Sequence, residues 1–288
     1  MKRLADYLSL VKFSHSIFAL PFALMSAWLA AGGLPPLETL GWIVFCCVAA
    51  RTAAMGFNRW ADRAIDARNP RTAGREIPSG KLKAGHVALL VLVSSAAFVG
   101  GAFALNPLAG KLSFPVLVVL LGYSLVKRFS FLAHVALGVA LGLAPLGAWV
   151  AVRGEIGDDV GPVLCLAVAV VTWVAGFDLI YACQDVDFDR DEGLHSIPSR
   201  FGIATALRVS SALHVATIAL LVAFWAWAGL GSICAISVGA AAALLVYEHR
   251  LVKPDDLSRV DMAFFTLNGW MGVALFVGLA LDLAFFGT

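Results

Sequence analysis

The stretch FNRWADRAIDARNPRTAGREIPSG, residues 57–80, packs five arginines and three acidic residues into a chain that is 60% hydrophobic. Only 14% of the 288 residues are charged, whereas soluble domains usually carry about 25%. Most of the chain is therefore predicted to lie in a non-aqueous solvent. A polar segment this dense is unexpected there and needs a reason of its own.

Long apolar runs flank this segment on both sides. A bilayer core of about 30 Å requires about 20 apolar residues per helix. Nine runs have roughly this length, at residues 14–34, 39–58, 84–106, 108–126, 131–152, 161–182, 204–229, 231–247 and 262–286. We therefore predict an all-α, polytopic membrane protein with nine transmembrane helices. Residues 1–288 are expected to form one integral-membrane domain, in which helices 1–4 carry the first polar motif and helices 5–9 the second.

The distribution of basic residues predicts how the chain is oriented. With nine spans and a cytoplasmic N-terminus, all but three of the 21 Lys and Arg residues face the cytoplasm. Lys111 and Arg153 fall on the other side, and Arg51 lies within a span. The positive-inside rule therefore places the N-terminus in the cytoplasm and the C-terminus on the opposite side of the inner (cytoplasmic) membrane.

A second polar segment follows the sixth predicted span. It reads DLIYACQDVDFDRDEGLHSIPSRFG, residues 178–202. Like the first, it starts at the cytoplasmic end of an apolar helix, carries carboxylates at helical spacing and then breaks at Gly or Pro. The corresponding positions of the two segments suggest an internal repeat of about four helices.

The carboxylates of both segments are spaced four residues apart, which places them on one face of a helix. Asn58, Asp62 and Asp66 form one oxygen-rich stripe, provided that the second helix continues past the membrane edge. Asp185 and Asp189 form another. Because like charges at this spacing destabilise a helix, each stripe is expected to have a compensating cation.

Carboxylate and amide oxygens are suitable ligands for Mg²⁺, which typically takes one or two carboxylates and completes its shell with water and phosphate. Basic residues stand close to the acids in the sequence: Arg63, Arg68, Arg71, Arg75, Lys127 and Arg128. Acids that hold Mg²⁺ among Arg and Lys side chains are typical of a diphosphate site. The polar segments are therefore predicted to form the two halves of a phosphate-handling site.

Arg51 and Asp178 lie inside predicted spans, where ionisable residues are costly unless they face an interior or a wet cavity. Asp178 is predicted to line such a cavity together with Tyr181, and Arg51 is also predicted to face inward. The alternative is that Arg51 and Asp178 pair as a structural ion pair.

These motifs resemble a known family. The pattern NxxxDxxxD (Asn58, Asp62, Asp66) with the following NPRTAGREIPSG, together with YACQDVDFD at residues 181–189, looks like the UbiA superfamily of intramembrane aromatic prenyltransferases. YSLVKR at 123–128 and LGVALGLAP at 137–145 are similar to its connection between the fourth and fifth helices. The resemblance implies a UbiA-like bundle that transfers a polyprenyl group from a polyprenyl diphosphate to an aromatic ring in quinone biosynthesis.

The resemblance also implies roles for individual residues. Two Mg²⁺ ions are expected, one on Asn58, Asp62 and Asp66 and the other on Asp185 and Asp189. The four aspartates are the implied catalytic residues. The implied diphosphate contacts are Arg63, Arg75, Lys127 and Arg128.

The acceptor is expected to be an aromatic carboxylate, and two acceptors remain open. The 4-hydroxybenzoate enzymes of the family suggest one, whereas KFSHSIFALPFA and TAGREIP look more like the branch that prenylates a naphthoate in menaquinone synthesis by the futalosine route. Residues implied in acceptor binding are Lys12, Arg51, Asp178 and Tyr181. His15 is a further candidate near the mouth of the chamber, but ordinary interfacial packing is favoured for it and for His134.

Two other classes of membrane protein compete with this interpretation. A cation-coupled transporter is compatible with repeats and intramembrane acids, although the acids here cluster at one membrane face among arginines. A CDP-alcohol phosphotransferase is disfavoured because its DGxxAR signature is absent from the sequence. The expected partners are the polyprenyl diphosphate, the aromatic acceptor and the lipid bilayer, and no nucleic acid is expected.

Overall fold

The computed structural model describes the backbone of residues 2–11 and 18–287, and the side chains of all of these except residues 2–4. The described part is helical, with one isolated β-bridge between Lys253 and Asp256. Its α-helices are α1 (Lys2–Leu10), α2 (Leu20–Ala31), α3 (Leu37–Ala61), α4 (Arg63–Arg68), α5 (Ala84–Leu105), α6 (Pro107–Val126), α7 (Ala133–Arg153), α8 (Gly161–Ala182), α9 (Val186–Asp191), α10 (Ile197–Phe201), α11 (Ile203–Trp227), α12 (Ser232–Leu251) and α13 (Asn268–Phe286). The fold class predicted from the sequence is confirmed.

Eight helical segments of the described part are long and apolar enough to cross a membrane. They are α3, α5, α6, α7, α8 continued to Asp191, α11, α12, and α13 extended back to Met262. The first span predicted from the sequence, 14–34, corresponds here to α2, which has twelve residues. The total of nine transmembrane helices therefore stays a prediction.

The first acidic motif lies at the end of α3, where the helix is interrupted but not lost. Asp62, with φ −89° and ψ 2°, separates α3 from α4. The helical hydrogen-bond ladder nevertheless crosses the interruption, because the Asp62 amide donates to the Asn58 carbonyl at 2.9 Å and the Asp66 amide to the Asp62 carbonyl at 2.8 Å. The predicted stripe therefore keeps its helical spacing.

The second acidic motif lies at the end of α8 in a similar way. After Ala182 the chain tightens into a 3₁₀ turn over Cys183–Asp185 and then forms α9. Tightened turns are common where α-helices end. Asp185 thus lies at the junction of two helical pieces, as Asp62 does in the first motif.

A close contact between α7 and α8 depends on two glycines one turn apart. A Cβ atom on Gly138 would lie 2.4 Å from the carbonyl oxygen of Val171, and one on Gly142 would lie 2.9 Å from that of Ala167. Small residues at this spacing let two membrane helices approach backbone to backbone. The glycine pair, Gly138 and Gly142, therefore fixes how the motif-bearing α8 packs on α7.

The packed core lies around α8. Trp173 is fully buried, and its ring lies 5.0 Å from those of Phe22 in α2 and Phe177 one turn along α8. Its indole Nε1 donates a hydrogen bond of 2.6 Å to Asn268 at the start of α13. Because a buried indole N–H needs a partner, this bond ties α8 to α13 and holds the second motif's helix in the middle of the bundle.

The N-terminus of α12 is capped by a side chain from another helix. The carboxylate of Asp282, on α13 and 2% exposed, accepts hydrogen bonds from the backbone N–H groups of Gly231, Ile233 (3.0 Å) and Cys234 (3.2 Å). The first N–H groups of a helix have no partner inside the helix, and a negative charge there is favourable. The interaction therefore joins the last two long helices.

Replacing Asp282 by alanine is expected to destabilise the protein by about 2 kcal/mol, because three N–H groups at the start of α12 lose their acceptor. The measurement is the melting temperature in detergent. Asp159→Ala is the matched control, since Asp159 is 55% exposed and, among the described residues, pairs only with the surface residue Arg153. Equal melting temperatures for the two variants would show that the cap is not needed.

Candidate active site

Asp62 is the most enclosed acid of the first motif. It is 1% exposed, and the Nζ of Lys127 lies 2.6 Å from its Oδ2. Arg128 approaches its Oδ1 at 3.3 Å and donates a second bond to the Ala61 carbonyl at 2.8 Å. The side-chain amide nitrogen of Asn58, Nδ2, also donates to the Oδ2 of Asp62, at 3.3 Å. The loop after α6 therefore supplies the cations that compensate this carboxylate.

Asp66, 4% exposed, receives its cation from its own segment. Nη1 of Arg75 lies 2.6 Å from the Oδ1 of Asp66, and the Thr72 hydroxyl donates to the Asp66 carbonyl at 3.0 Å. The chain after α4 thus folds back over the helix end. The other carboxylate oxygen, Oδ2, is buried and has no hydrogen-bond partner among the described residues.

Asp185 of the second motif is held by residues of the first segment. Arg71 donates from Nε to its Oδ1 at 2.8 Å and from Nη2 to its Oδ2, and Asn69 donates to the Oδ1 at 3.0 Å. Nη1 of Arg71 also donates to the Tyr181 hydroxyl at 2.8 Å. Burial alone would lower the pKa of Arg71, but the hydrogen bonds and charge of Asp185 outweigh it and raise the pKa. Arg71 therefore stays a cation between the two motifs.

Further contacts close the network around Asp189. Its Oδ2 accepts a hydrogen bond of 3.0 Å from the Ser196 hydroxyl. The neighbouring His195 amide donates to the Lys127 carbonyl at 2.8 Å, which ties the loop after α6 to the second segment. At the surface, Arg68 forms a two-pronged pair with Glu192, with Nε–Oε1 at 2.8 Å and Nη2–Oε2 at 2.5 Å. This hydrogen bonding lowers the pKa of Glu192, which keeps the pair charged.

Taken together, these contacts join both motifs and the loop after α6 into one site. Three carboxylates of the predicted set pair with four cations, and the fourth bonds to a hydroxyl: Asp62 with Lys127 and Arg128, Asp66 with Arg75, Asp185 with Arg71, and Asp189 with Ser196. Each stripe was expected to need a compensating cation, and the structure supplies one from a different part of the chain for Asp62 and for Asp185. Such a site can exchange its internal ion pairs for a phosphate ligand and its counter-ions.

The other residues predicted for the site are placed less uniformly. Arg63 is exposed and turns back on Trp60, donating to its carbonyl at 2.6 Å and stacking 4.8 Å from its ring centroid, so it is not brought to the acids. Tyr181 joins the site through Arg71. Lys12 and His15 lie outside the described residues.

Arg51 and Asp178, both within spans, do not form the ion pair that was the structural alternative. Asp178 pairs with His134, whose Nδ1 lies 2.7 Å from its Oδ2, and not with Arg51. Arg51 lies within α3, and the nearby titratable groups that act on its charge include Tyr123 of α6 and Arg59. His134 is 5% exposed at its side chain, so it is a buried partner of Asp178 and not an interfacial packing residue.

Sequence reasoning did not select Asn69 for the site and named Arg71 only as a nearby basic residue. Both lie in NPRTAG, at 69–74, directly after the first acidic stripe. Their signal in the sequence is this adjacency alone, because their partner Asp185 is more than a hundred residues away.

No group of three or more His, Cys, Asp or Glu side chains converges on a metal position within the part of the chain that the structure describes. The donors occur as pairs, one at each helix end, which suits a cation that takes one or two carboxylates and otherwise binds water and phosphate. The unpartnered Oδ2 of Asp66 is a free, hard oxygen donor in such a pair. The residues present therefore fit Mg²⁺.

Comparison with known proteins identifies the family. Residues 19–272 match the UbiA prenyltransferase family. The chain belongs to this family. Among relatives, it is 33% identical to a 4-hydroxybenzoate octaprenyltransferase of Aeromonas salmonicida over 261 residues, 90% of this chain and 88% of the relative. It is 32% identical to the enzyme of the same name from Marinobacter nauticus, over 98% of this chain and 96% of the relative.

Solved structures of UbiA homologues share the fold. The apo structure of a homologue from Aeropyrum pernix superposes with a TM-score of 0.84 at 36% identity and covers 93% of this chain and 98% of its own. A homologue from Archaeoglobus fulgidus bound to DMAPP and Mg²⁺ has a TM-score of 0.72 at 16% identity, over 98% of this chain and all of its own. The predicted UbiA-like bundle and prenyltransferase class are thus confirmed.

Proposed function

We propose that this UbiA family member transfers a polyprenyl group from a polyprenyl diphosphate to an aromatic carboxylate, in a Mg²⁺-dependent reaction of quinone biosynthesis. The observation that carries the proposal is the single network formed by two acidic helix ends and four cations. A network of this kind suits a ligand that is both strongly anionic and metal-bound, as a diphosphate is.

The relatives support the same substrates. The curated enzymes at 31–33% identity are named for octaprenyl transfer to 4-hydroxybenzoate. The Archaeoglobus homologue binds DMAPP in one structure and GPP in another, each together with Mg²⁺. For this chain we infer a prenyl diphosphate donor and a magnesium requirement of the same kind.

The two helix ends are the proposed metal sites. Asn58, Asp62 and Asp66 would hold one Mg²⁺, and Asp185 and Asp189 a second. When bound, Mg²⁺ supplies charge neutralisation to the diphosphate oxygens as the bond to the prenyl group breaks.

The basic side chains bind the leaving group in this proposal. Lys127, Arg128, Arg75 and Arg71 now face carboxylates, and a metal ion on those carboxylates would free the basic groups to turn to phosphate oxygens. Negative charge accumulates on the diphosphate as it departs, so fixed cations stabilise the transition state more than the ground state. Arg63, which lies on Trp60, would have to turn away from that ring to serve as a diphosphate contact.

Aromatic rings stand next to these cations and suit a carbocation. Tyr181, which bonds to Arg71, lies with its ring centroid 4.3 Å from that of Phe264, and Phe264 lies 5.1 Å from Phe177. Ring faces attract a positive charge in a dry site. A prenyl cation formed beside them would be stabilised and kept from water by the surrounding apolar helices.

The acceptor remains a choice between two aromatic carboxylates. The names of the relatives favour 4-hydroxybenzoate, and the sequence around residues 12–23 and 72–78 favours a hydroxynaphthoate. Either one presents a carboxylate to the buried basic groups of α3, where Arg51 lies. The prenyltransferase family match favours the enzyme over a cation-coupled transporter.

An acceptor screen tests the proposal. Purified protein is incubated with Mg²⁺, geranyl diphosphate and one acceptor at a time, either 4-hydroxybenzoate or a hydroxynaphthoate. The products are identified by mass spectrometry. We expect a prenylated product from one acceptor class, loss of that product on addition of EDTA, and its return with excess Mg²⁺. Cation flux in proteoliposomes without any prenylated product would overturn the proposal in favour of a transporter.

A further inference from the structure

His134 and Asp178 form a buried pair that the diphosphate site does not use. His134 lies in the first turn of α7, and its Nδ1 lies 2.7 Å from the Oδ2 of Asp178 in α8. The histidine side chain is 5% exposed and that of the aspartate 23%. The other ring nitrogen, Nε2, is buried and has no hydrogen-bond partner among the described residues.

The pair lies beside the acidic site. His134 and Lys127 are both electrostatic neighbours of Asp189, and Asp178 is a neighbour of Tyr123. Tyr123 in turn neighbours Arg51 and Arg59 of α3, the helix that carries the first motif. His134 thus contributes to the electrostatic environment of the second acidic motif, and its partner Asp178 to that of a tyrosine near the basic groups of α3.

Polar atoms without partners also occur in the first motif segment, on α3 and α4. Besides His134, the Nε of Arg59 and the Oδ2 of Asp66 are buried and unpartnered among the described residues. A buried polar group that lacks a hydrogen bond costs about 1–3 kcal/mol, so such groups are rare in a folded protein. A polar ligand that reached these atoms would supply the missing partners.

The chemistry of the proposed reaction requires a proton acceptor. When the prenyl carbon bonds to a ring carbon, its bond to the diphosphate oxygen breaks and the leaving group keeps the electron pair. The attacked ring carbon then carries both the prenyl group and a hydrogen. Aromaticity returns only when that proton leaves and its bonding electrons rejoin the ring.

A carboxylate that accepts the N–H of one imidazole nitrogen leaves the other nitrogen basic and oriented. We propose that His134, oriented by Asp178, is the general base that removes the ring proton of the acceptor. The proton moves to Nε2, and the resulting imidazolium is stabilised by the negative charge of Asp178. His134 is thus a catalytic residue and Asp178 its positioning residue. This inference rests on the proposed function, since it deepens the same reaction.

Two alternative roles for the pair compete with general base catalysis. In the first, the pair only ties α7 to α8, so the free Nε2 has no role. In the second, an oxygen of the departing diphosphate takes the proton. Both predict that a side chain which keeps the link to Asp178 but lacks a basic nitrogen supports normal turnover.

The test is His134→Gln, since glutamine retains a donor for Asp178 without a basic nitrogen. It is assayed with Mg²⁺, geranyl diphosphate and the acceptor that the wild type prenylates, with ring hydrogens or ring deuterium. We expect kcat to fall by about 10²–10⁴-fold, the contribution typical of general base catalysis, with little change in KM. Deuterium on the acceptor ring should slow His134→Gln more than the wild type, because removal of the ring proton becomes rate-limiting in the variant.

Two further variants separate the base from a structural contact. His214→Gln is the matched control, because His214 is also buried (3% exposed) but bonds within the core to His249 and the Trp173 carbonyl, and it should keep wild-type kcat. Asp178→Asn should reduce kcat less than His134→Gln and show the same isotope effect.

Turnover of His134→Gln within threefold of wild type overturns the assignment while the prenyltransferase function stands. So does a lower turnover without a larger isotope effect, which is the behaviour of a structural link. A wild-type protein that prenylates neither acceptor class overturns both the function and the base.

Discussion

Asp62→Ala is expected to abolish prenyl transfer while the protein stays folded in detergent. Asp62 is 1% exposed and is approached by Lys127, Arg128 and Asn58, so its carboxylate lies where the proposed ligands of the first Mg²⁺ and the proposed diphosphate cations meet. Without it, the proposed Mg²⁺ position loses a ligand and the nearby cations lose the charge that orients them. We expect the Mg²⁺-dependent initial rate to fall by at least about 10³-fold.

The same motif region provides the control. Asp187 lies between Asp185 and Asp189, but its side chain is 99% exposed, and its one ion pair within the described part of the chain is with Arg190, at 3.9 Å. Asp187→Ala should therefore keep the wild-type rate. Asp62→Asn preserves the shape of the buried side chain. A loss of activity in this variant as well would show that misfolding does not explain the loss in Asp62→Ala. Undiminished turnover in both Asp62 variants would contradict the metal assignment.

The second large effect is expected from Arg71→Leu. Arg71 binds Asp185 through two nitrogens and Tyr181 through a third, so it joins the acidic and the aromatic walls of the site. In the proposed function its loss removes a cation from the leaving group, which is worth about 10²–10³-fold in kcat for comparable charge stabilisation. Steady-state rates against geranyl diphosphate measure the effect. Arg71→Lys should recover little of the lost rate, because a lysine side chain lacks the planar, forked set of N–H donors of arginine.

Arg208→Leu is the matched control for this variant. Arg208 is exposed, and its contacts are with the Ala204 carbonyl and the Thr205 hydroxyl within its own helix. Arg208→Leu lowers the net charge by the same amount as Arg71→Leu but leaves the contacts of the site unchanged. If the Arg71 and Arg208 variants turned over at the same rate, the role of Arg71 as a leaving-group cation would be rejected.

Much of the fold follows from local patterns in the sequence. Apolar runs of about twenty residues have one stable outcome in a bilayer, because a helix satisfies all of its backbone hydrogen bonds internally. The acidic stripes were also predictable, since a spacing of four residues fixes a common face wherever the helix continues. The interruption at Asp62 was not anticipated, yet it preserves that spacing.

The cations of the site were harder to assign, because their partners depend on how the loops fold. Arg63 and Arg71 look equivalent in the sequence, each a few residues from an aspartate. Arg63 finds an aromatic ring and a carbonyl at its own helix end, whereas Arg71 reaches across to the second motif. A long, flexible side chain can reach several nearby partners, and the tertiary structure determines which of these partners it contacts.

His134 shows the same limit for a buried residue. Its sequence position, near a predicted membrane boundary, favoured interfacial packing. The partner that draws it inward is Asp178, 44 residues away on α8. A contact of that kind has no local signature, since it depends on the distance between two helices.

That distance depends on the glycine pair, Gly138 and Gly142. His134 lies one turn before Gly138, and a methyl group at Gly138 would meet the Val171 carbonyl and push α7 away from the helix that carries Asp178. The contact between His134 and Asp178 therefore depends on a residue that has no side chain, and a single added methyl group there would disturb it from within the helix interface.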